Sequence, residues 1–294
     1  MRPILRPGTH VLRRGPHRVQ VGLDPAAALV LTDSPGVRSR LRLLTSPAVP
    51  ADAADQPPDD PVLGLLAAHH EVVDSDHLLP LLTGDVAAHT VAAVARQAGG
   101  DAASTLAVRR LWRSETRWFG HPSGRSLVGA FDALTRSAGL GIDAGPGARH
   151  DGGVLLGVGE PDRELVDDWT RAGTPHLLVR LTEGRAVIGP FVDPGATACL
   201  RCVDAHCQDA DPAWPLLVRQ YAAASARDRE DGAPEPVDPL LAALAVAWAA
   251  RDLASYVDGG RPSTWSATVT LDPALTRLET RRWLRHPGCG CSWE

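Results

Sequence analysis

Over the first 45 residues, apolar and polar positions alternate with a period of two and then switch to a helical spacing. Thr9-His10-Val11-Leu12-Arg13 and Arg18-Val19-Gln20-Val21-Gly22-Leu23 read as two strands flanking an Arg14-Gly15-Pro16-His17 turn. Ala28-Leu29-Val30-Leu31 adds a third short strand. Ser34-Pro35 then opens a helix through about Leu44, with Ser34 as N-cap and Pro35 at its first position. Residues 46–61, rich in Pro, Ala and Asp, read as a loop. Helices are expected at about Val62–His70, Ser75–Leu82 and Asp85–Ala98.

This succession of strands and then helices gives a small α+β, winged-helix-like domain over residues 1–100. Residues 101–294 read differently. Thr116–Phe119, Leu140–Ala144, Gly153–Val158 and Thr174–Leu181 are expected strands, with helices over Leu127–Ala138 and Pro161–Ala172. That alternation is the signature of a Rossmann-like parallel sheet. Glu183-Gly184 turns the chain back into Ala186–Val192, an antiparallel addition. Arg227–Pro239 reads as an acidic, Pro-rich loop, followed by a long helix from Leu240 to Val257 and strands at Trp265–Leu271 and Thr276–Trp283. The fold class is therefore α/β, a Rossmann-like domain preceded by the smaller one.

Composition narrows the chemistry. All 30 basic residues are arginine, so Schiff bases, Walker-A phosphate binding and lysine-assisted adenylation are excluded. The net charge of −5 and only 13 aromatic residues do not favour nucleic acid as a partner. The N-terminus has no apolar signal region, and the longest apolar run, Leu240 to Ala250, is too short to span a bilayer. A cytoplasmic location without membrane association is expected. Charge is split within the first domain: residues 1–45 hold eight Arg against two Asp, residues 46–100 eight acids against Arg96. That reads as two solvated faces, or as a basic hairpin that attracts an acidic partner.

Five cysteines, arranged as Cys199-x-x-Cys202, Cys207 and Cys289-x-Cys291, favour metal over disulfides in a cytosolic chain. Zinc needs four donors in a tetrahedron, and two tight thiol pairs supply them. Cys199, Cys202, Cys289 and Cys291 are the expected ligands of a closed structural Zn2+ site, with Gly288 and Gly290 permitting the tighter second turn. Cys207 is read as a bystander, and His206 and His286 as substitute ligands. Gly120-x-x-x-Gly124 lies after a strand and before a helix, where a nucleotide phosphate would bind. Asp143 stands where a ribose-binding carboxylate would be. The loop is not GxGxxG, and Pro122 removes a backbone donor. No nucleophile–base pair is evident.

The stretch from Gly173-Thr-Pro-His through Val187-Ile-Gly-Pro-Phe-Val-Asp-Pro-Gly-Ala-Thr-Ala-Cys-Leu-Arg-Cys202 resembles the ThiF/MoeB superfamily of ubiquitin-activating-like proteins. Within it the chain looks most like the actinobacterial branch associated with thiazole/oxazole-modified microcin (bacteriocin) cyclodehydratases. Leu5–Arg14, Gln20–Asp24, Asp209–Pro215 and His286-Pro-Gly-Cys-Gly-Cys291 are similar to that branch. The resemblance implies a non-catalytic scaffold. Its winged-helix-like domain binds the leader of a ribosomally synthesised precursor peptide, and a ThiF-like domain with a four-cysteine zinc site presents that peptide to a YcaO-type cyclodehydratase. A homodimer stays open. The degraded glycine loop and the absence of lysine both depart from active ThiF-type adenylyltransferases. Strand order and the resemblance together place the leader on the edge Ala28–Leu31, facing Val86, His89, Val91 and Val94 of the Asp85–Ala98 helix. Two other functions compete: an ATP-dependent adenylyltransferase acting on a carboxylate, and a winged-helix DNA-binding regulator using Arg13, Arg14 and Arg18.

Overall fold

The short strands of the N-terminal region are held by alternation. In the computed structural model, which describes residues 2–45, 60–141 and 150–291, β1 (Pro3–Leu5), β2 (Val11–Arg13), β3 (Arg18–Val21) and β4 (Leu29–Thr32) precede the first helix. The last three form an antiparallel meander with β3 in the centre, in register Val11↔Val21 and Arg18↔Thr32. Val19 and Val21 point inward and are buried, whereas Arg18 is exposed. The buried face rests on Leu41 and Leu44 of α1 (Pro35–Thr45) and Leu66 of α2 (Pro61–Ala68). Both helices start on side-chain caps. Ser34 Oγ accepts from the Val37 amide at 3.2 Å. Asp60 accepts from Val62 and Leu63 at 2.9 and 3.1 Å, and pairs with Arg40.

β1 pairs antiparallel with β5 (Val72–Asp74), a ladder that no local pattern announces. After α3 (Ser75–Leu78) come α4 (Ala88–Ala98) and α5 (Ala102–Leu111). α4 begins three residues later than the periodicity suggests, and α5 is an addition to it. Val91, Val94 and Ala95 of α4 pack with Val73, Leu78 and Leu106 in a core of their own. The meander therefore rests on α1 and α2 instead of facing α4 as the sequence suggests. Arg96 of α4 donates to Thr9 Oγ1 (2.5 Å), whose hydroxyl donates to Glu71 (2.6 Å).

The chain divides into two compact units, Met1–Ala107 and Val108–Glu294. The second carries a mixed sheet in the order β11-β10-β9-β8-β7-β6. Its strands are β6 (Ser114–Phe119), β7 (Gly152–Val158), β8 (His176–Thr182), β9 (Arg185–Val192), β10 (Ala267–Leu271) and β11 (Leu278–Arg282). β6, β7 and β8 run parallel, and the remaining pairs are antiparallel. β7 is buried at every position, as a central strand covered on both faces must be. One face carries α6 (Ser126–Ser137) and α10 (Pro239–Val257), whose Ala242, Ala245, Val246 and Leu253 join the main core with Leu156, Val179 and Ile188. α10 is long and apolar enough to cross a membrane, yet it packs against β8 and β9. α7 (Glu164–Arg171), α8 (Leu200–Ala210) and α9 (Trp214–Ser225) complete the unit; Val166, Trp169, Leu200 and Cys202 form a second core with Leu155 and Leu178.

The strand expected over Leu140–Ala144 is not formed at Leu140 or Gly141. Leu140 donates to Thr135 O (3.0 Å), closing the end of α6, and Gly141 donates to Arg109 O (2.9 Å) in the last turn of α5. Leu140 is apolar because it is buried in the core, not because it pairs in the sheet. Residues 142–144 lie outside the described residues. His176, at the start of β8, is 1% exposed, and its Nδ1 bonds to Thr174 O at 2.9 Å. Burial pushes its pKa down to about 4.

Candidate metal centre

Cys199 is the N-cap of α8 and Cys202 sits in its first turn, the Cys202 amide donating to Cys199 O at 3.0 Å. This turn points both thiols one way. Cys289 and Cys291 come from the irregular segment after β11, and Gly290 turns the backbone between them at φ +77°, which favours glycine. The four sulfurs lie within 4.8 Å of one another. Cys199 to Cys202 is 3.7 Å, Cys199 to Cys289 3.5 Å, and Cys202 to Cys291 3.3 Å. A tetrahedral tetrathiolate with Zn–S near 2.3 Å has edges of about 3.8 Å. The thiols are free, the spacing fits, and the group could hold a metal ion. Cys207, half-buried further along α8, is outside the group, and burial raises its thiol.

Protons in this cluster are strongly interdependent. The hydrogen bond from Cys199 pulls Cys202 down to about 4 against its burial, with help from the His286 amide. Cys199 moves upward, through that same bond, burial and the neighbouring charge. Burial is the main reason that Cys289 is pushed up to about 12. The first thiolate forms easily and each further one is opposed by those already charged. A divalent cation would remove that opposition, which is what four sulfurs in one place require to ionise together.

His206, Asp209 and His286 also come within 4.8 Å of one another. His286 Nε2 bonds to Asp209 (3.0 Å), while its Nδ1 accepts from the Gly288 amide (3.1 Å). His206 Nε2 bonds to Leu284 O at 3.0 Å. These rings hold the C-terminal segment and are not aimed at the sulfur cluster.

At the glycine loop, a Cβ on Gly120 (φ +76°) would fall onto the Val158 carbonyl, and one on Gly124 would sit 2.7 Å from the Trp118 ring. Both glycines thus have a packing role. Asp143 lies outside the described residues. Gly120 borders a cavity of about 940 Å³ with Glu160, Arg163, Asp204 and Cys289. Arg163 makes a two-pronged bond to Asp204 (2.8 and 2.8 Å) and one to Glu160 (2.8 Å). Arg180 takes the other Glu160 oxygen at 2.8 Å, and Arg201 pairs with Asp167 at 2.6 Å. Burial opposes the charge on Arg163, but its carboxylate partners outweigh it and raise the pKa. Asp204 is held low by the same contact despite its burial. Of the three arginines that line the cavity, Arg163 and Arg201 already face carboxylates, whereas Arg219 makes no ion pair among the described residues.

In the first unit, β4 bonds to β3 alone among the described residues, leaving its other side open, and Val30 is 39% exposed. Leu29, Val30 and Leu31 lie on this strand, whereas Ala28 does not: its amide closes a turn onto Asp24 O at 2.7 Å.

No family model and no curated protein matches the sequence. Solved structures do match. The heterocyclase TruD superposes with a TM-score of 0.71 at 18% identity over 99% of this chain and 42% of its own. A heterocyclase in complex with substrate and cofactor gives 0.68 at 18% identity, over 98% of this chain and 39% of its own. E. coli MccB with succinimide gives 0.65 at 10% identity over the whole of both chains. The chain thus spans about two fifths of the heterocyclases and all of MccB. At these identities the likeness speaks to the backbone: the chain has the ThiF-like α/β fold of MccB and TruD, preceded by a small α+β unit.

Proposed function

We propose that the protein is a non-catalytic scaffold. It binds the leader of a ribosomally synthesised precursor peptide and presents it to a YcaO-type cyclodehydratase in azoline or azole formation. The observation that carries this reading is the pairing of Arg163 and Arg180 with carboxylates behind Gly120, in a fold shared with a heterocyclase and with MccB. Adenylation requires free donors for the charge that develops on the α-phosphate. Here Arg163 and Arg180 face Glu160 and Asp204, the loop contains Pro122, and the chain has no lysine.

In this reading the leader adds a strand to Leu29–Thr32, by backbone hydrogen bonds that the open edge of β4 leaves available. Cys199, Cys202, Cys289 and Cys291 hold one Zn2+ that ties the C-terminal segment to α8. The ion supplies structure only, since four protein donors leave no open position. Leader binding followed by fluorescence anisotropy, beside pyrophosphate exchange into ATP, tests the assignment. Saturable leader binding with background exchange is expected. Exchange well above background would replace the scaffold with an adenylyltransferase, the alternative favoured by the match to E. coli MccB with ATP over 99% of both chains.

A further inference from the structure

Between Arg282 and the sulfur cluster the chain has no regular element, yet Cys289 and Cys291 face Cys199 and Cys202. Side chains of α8 supply the missing order. Cys202, His206 and Asp209 are spaced four and three residues apart, which places them on one face of the helix. Cys202 meets Cys291 at 3.3 Å, His206 bonds to Leu284 O, and Asp209 accepts from His286. The geometry of His286 is specific. Its Nδ1 accepts the Gly288 amide, so the proton is on Nε2 and is donated to Asp209. The same residue's carbonyl accepts from Cys289 N at 3.0 Å, which bends the segment into the Cys-x-Cys turn. Arg285 completes the bend by donating to Gly195 O (2.6 Å) and Cys291 O (3.0 Å).

We propose that Asp209 and His286, with His206, are positioning residues of the metal centre: they dock the 283–291 segment on α8 so that the second thiol pair faces the first. The inference rests on the four cysteines holding an ion. His286 does not coordinate through Nε2, because its Nδ1 accepts a hydrogen bond from the Gly288 amide, which leaves the ring proton on Nε2. Outer partners of this kind typically change metal affinity 10- to 100-fold.

The test uses the full-length protein with Zn2+ in competition against a chromophoric chelator, and Co2+ as a spectroscopic probe of the ligand set. Asp209→Ala and His286→Ala should each weaken Zn2+ binding by about 10- to 100-fold, and the double variant should be little worse than either alone. Asp209→Asn, which keeps an acceptor for Nε2–H, should stay within a few-fold of the parent. Saturated with Co2+, all variants should show the tetrathiolate charge-transfer bands of the parent. Parent-like affinity in both alanine variants would overturn the inference while leaving the metal centre standing. An altered cobalt spectrum in His286→Ala would overturn it in favour of direct coordination by His286. If the parent itself binds neither ion, the metal reading fails, and this inference with it.

Discussion

At the scale of single residues, burial and partner geometry decide which groups can respond to pH or substitution. His176 is enclosed in its neutral form beside Trp169, ring centroids 5.5 Å apart. In the unfolded chain it takes up a proton near its ordinary value of about 6.5, whereas in the fold it does so only at about 4. Between those values the unfolded state binds more protons, so stability falls as pH falls. Melting followed by circular dichroism should show a loss approaching about 3 kcal/mol by pH 4 that His176→Gln removes in part. Gly120→Ala should lower stability by about 2 kcal/mol or more, because it meets both a positive φ and the Val158 carbonyl. Cys199→Ser should lose the bound metal in elemental analysis, while Cys207→Ser should keep about one equivalent.

At the scale of elements, the open edge of β4 carries the recognition proposal. Proline at position 30 removes a donor and restricts the strand. Val30→Pro should therefore abolish leader binding in the anisotropy titration, while near-ultraviolet circular dichroism reports the second unit unchanged. The charged hairpin of β2 and β3 should act chiefly on association rate, so raising salt slows binding more than it speeds release. Each exposed charge contributes at most about 1 kcal/mol. The elements are unevenly legible. β3, β7, β9 and α10 announce themselves because period and burial agree. β1 and β5 do not, since three residues carry no period and their partners are nearly seventy positions apart. α9 is missed because Leu216 and Leu217, at the start of its helical stretch, are exposed and blur the apolar face.

At the scale of the molecule, the four-cysteine cluster joins residues about ninety apart, so an ion held there and the fold should be linked. Binding that favours the native state stabilises by RT ln(1 + [L]/Kd). The melting temperature should rise with free zinc, by about 1.4 kcal/mol of stability for each tenfold above Kd. Chelation should return it to the metal-free value, and a melting temperature indifferent to zinc would exclude an ion at the four cysteines. The cleft beside Gly120 gives the complementary expectation. ATP at millimolar concentration should leave the melting temperature unchanged, because two of the three arginines lining the cleft, Arg163 and Arg201, are already paired with Glu160, Asp204 and Asp167.

The local chemistry is written in the sequence: the alternating strands, the cap at Ser34, and the thiol pairs at one- and two-residue gaps. Each depends on neighbours within a few positions, where backbone geometry leaves little choice. Only the tertiary structure decides what depends on distant encounters. It brings Cys289 and Cys291 to Cys199 and Cys202, and sets the meander on α1 and α2 while α4 keeps its own core. It also pairs Arg163 with Asp204 in the wall of the cavity beside Gly120. Leu140 shows why: an apolar residue must be buried, but its sequence neighbours do not state whether a strand or a helix end will bury it.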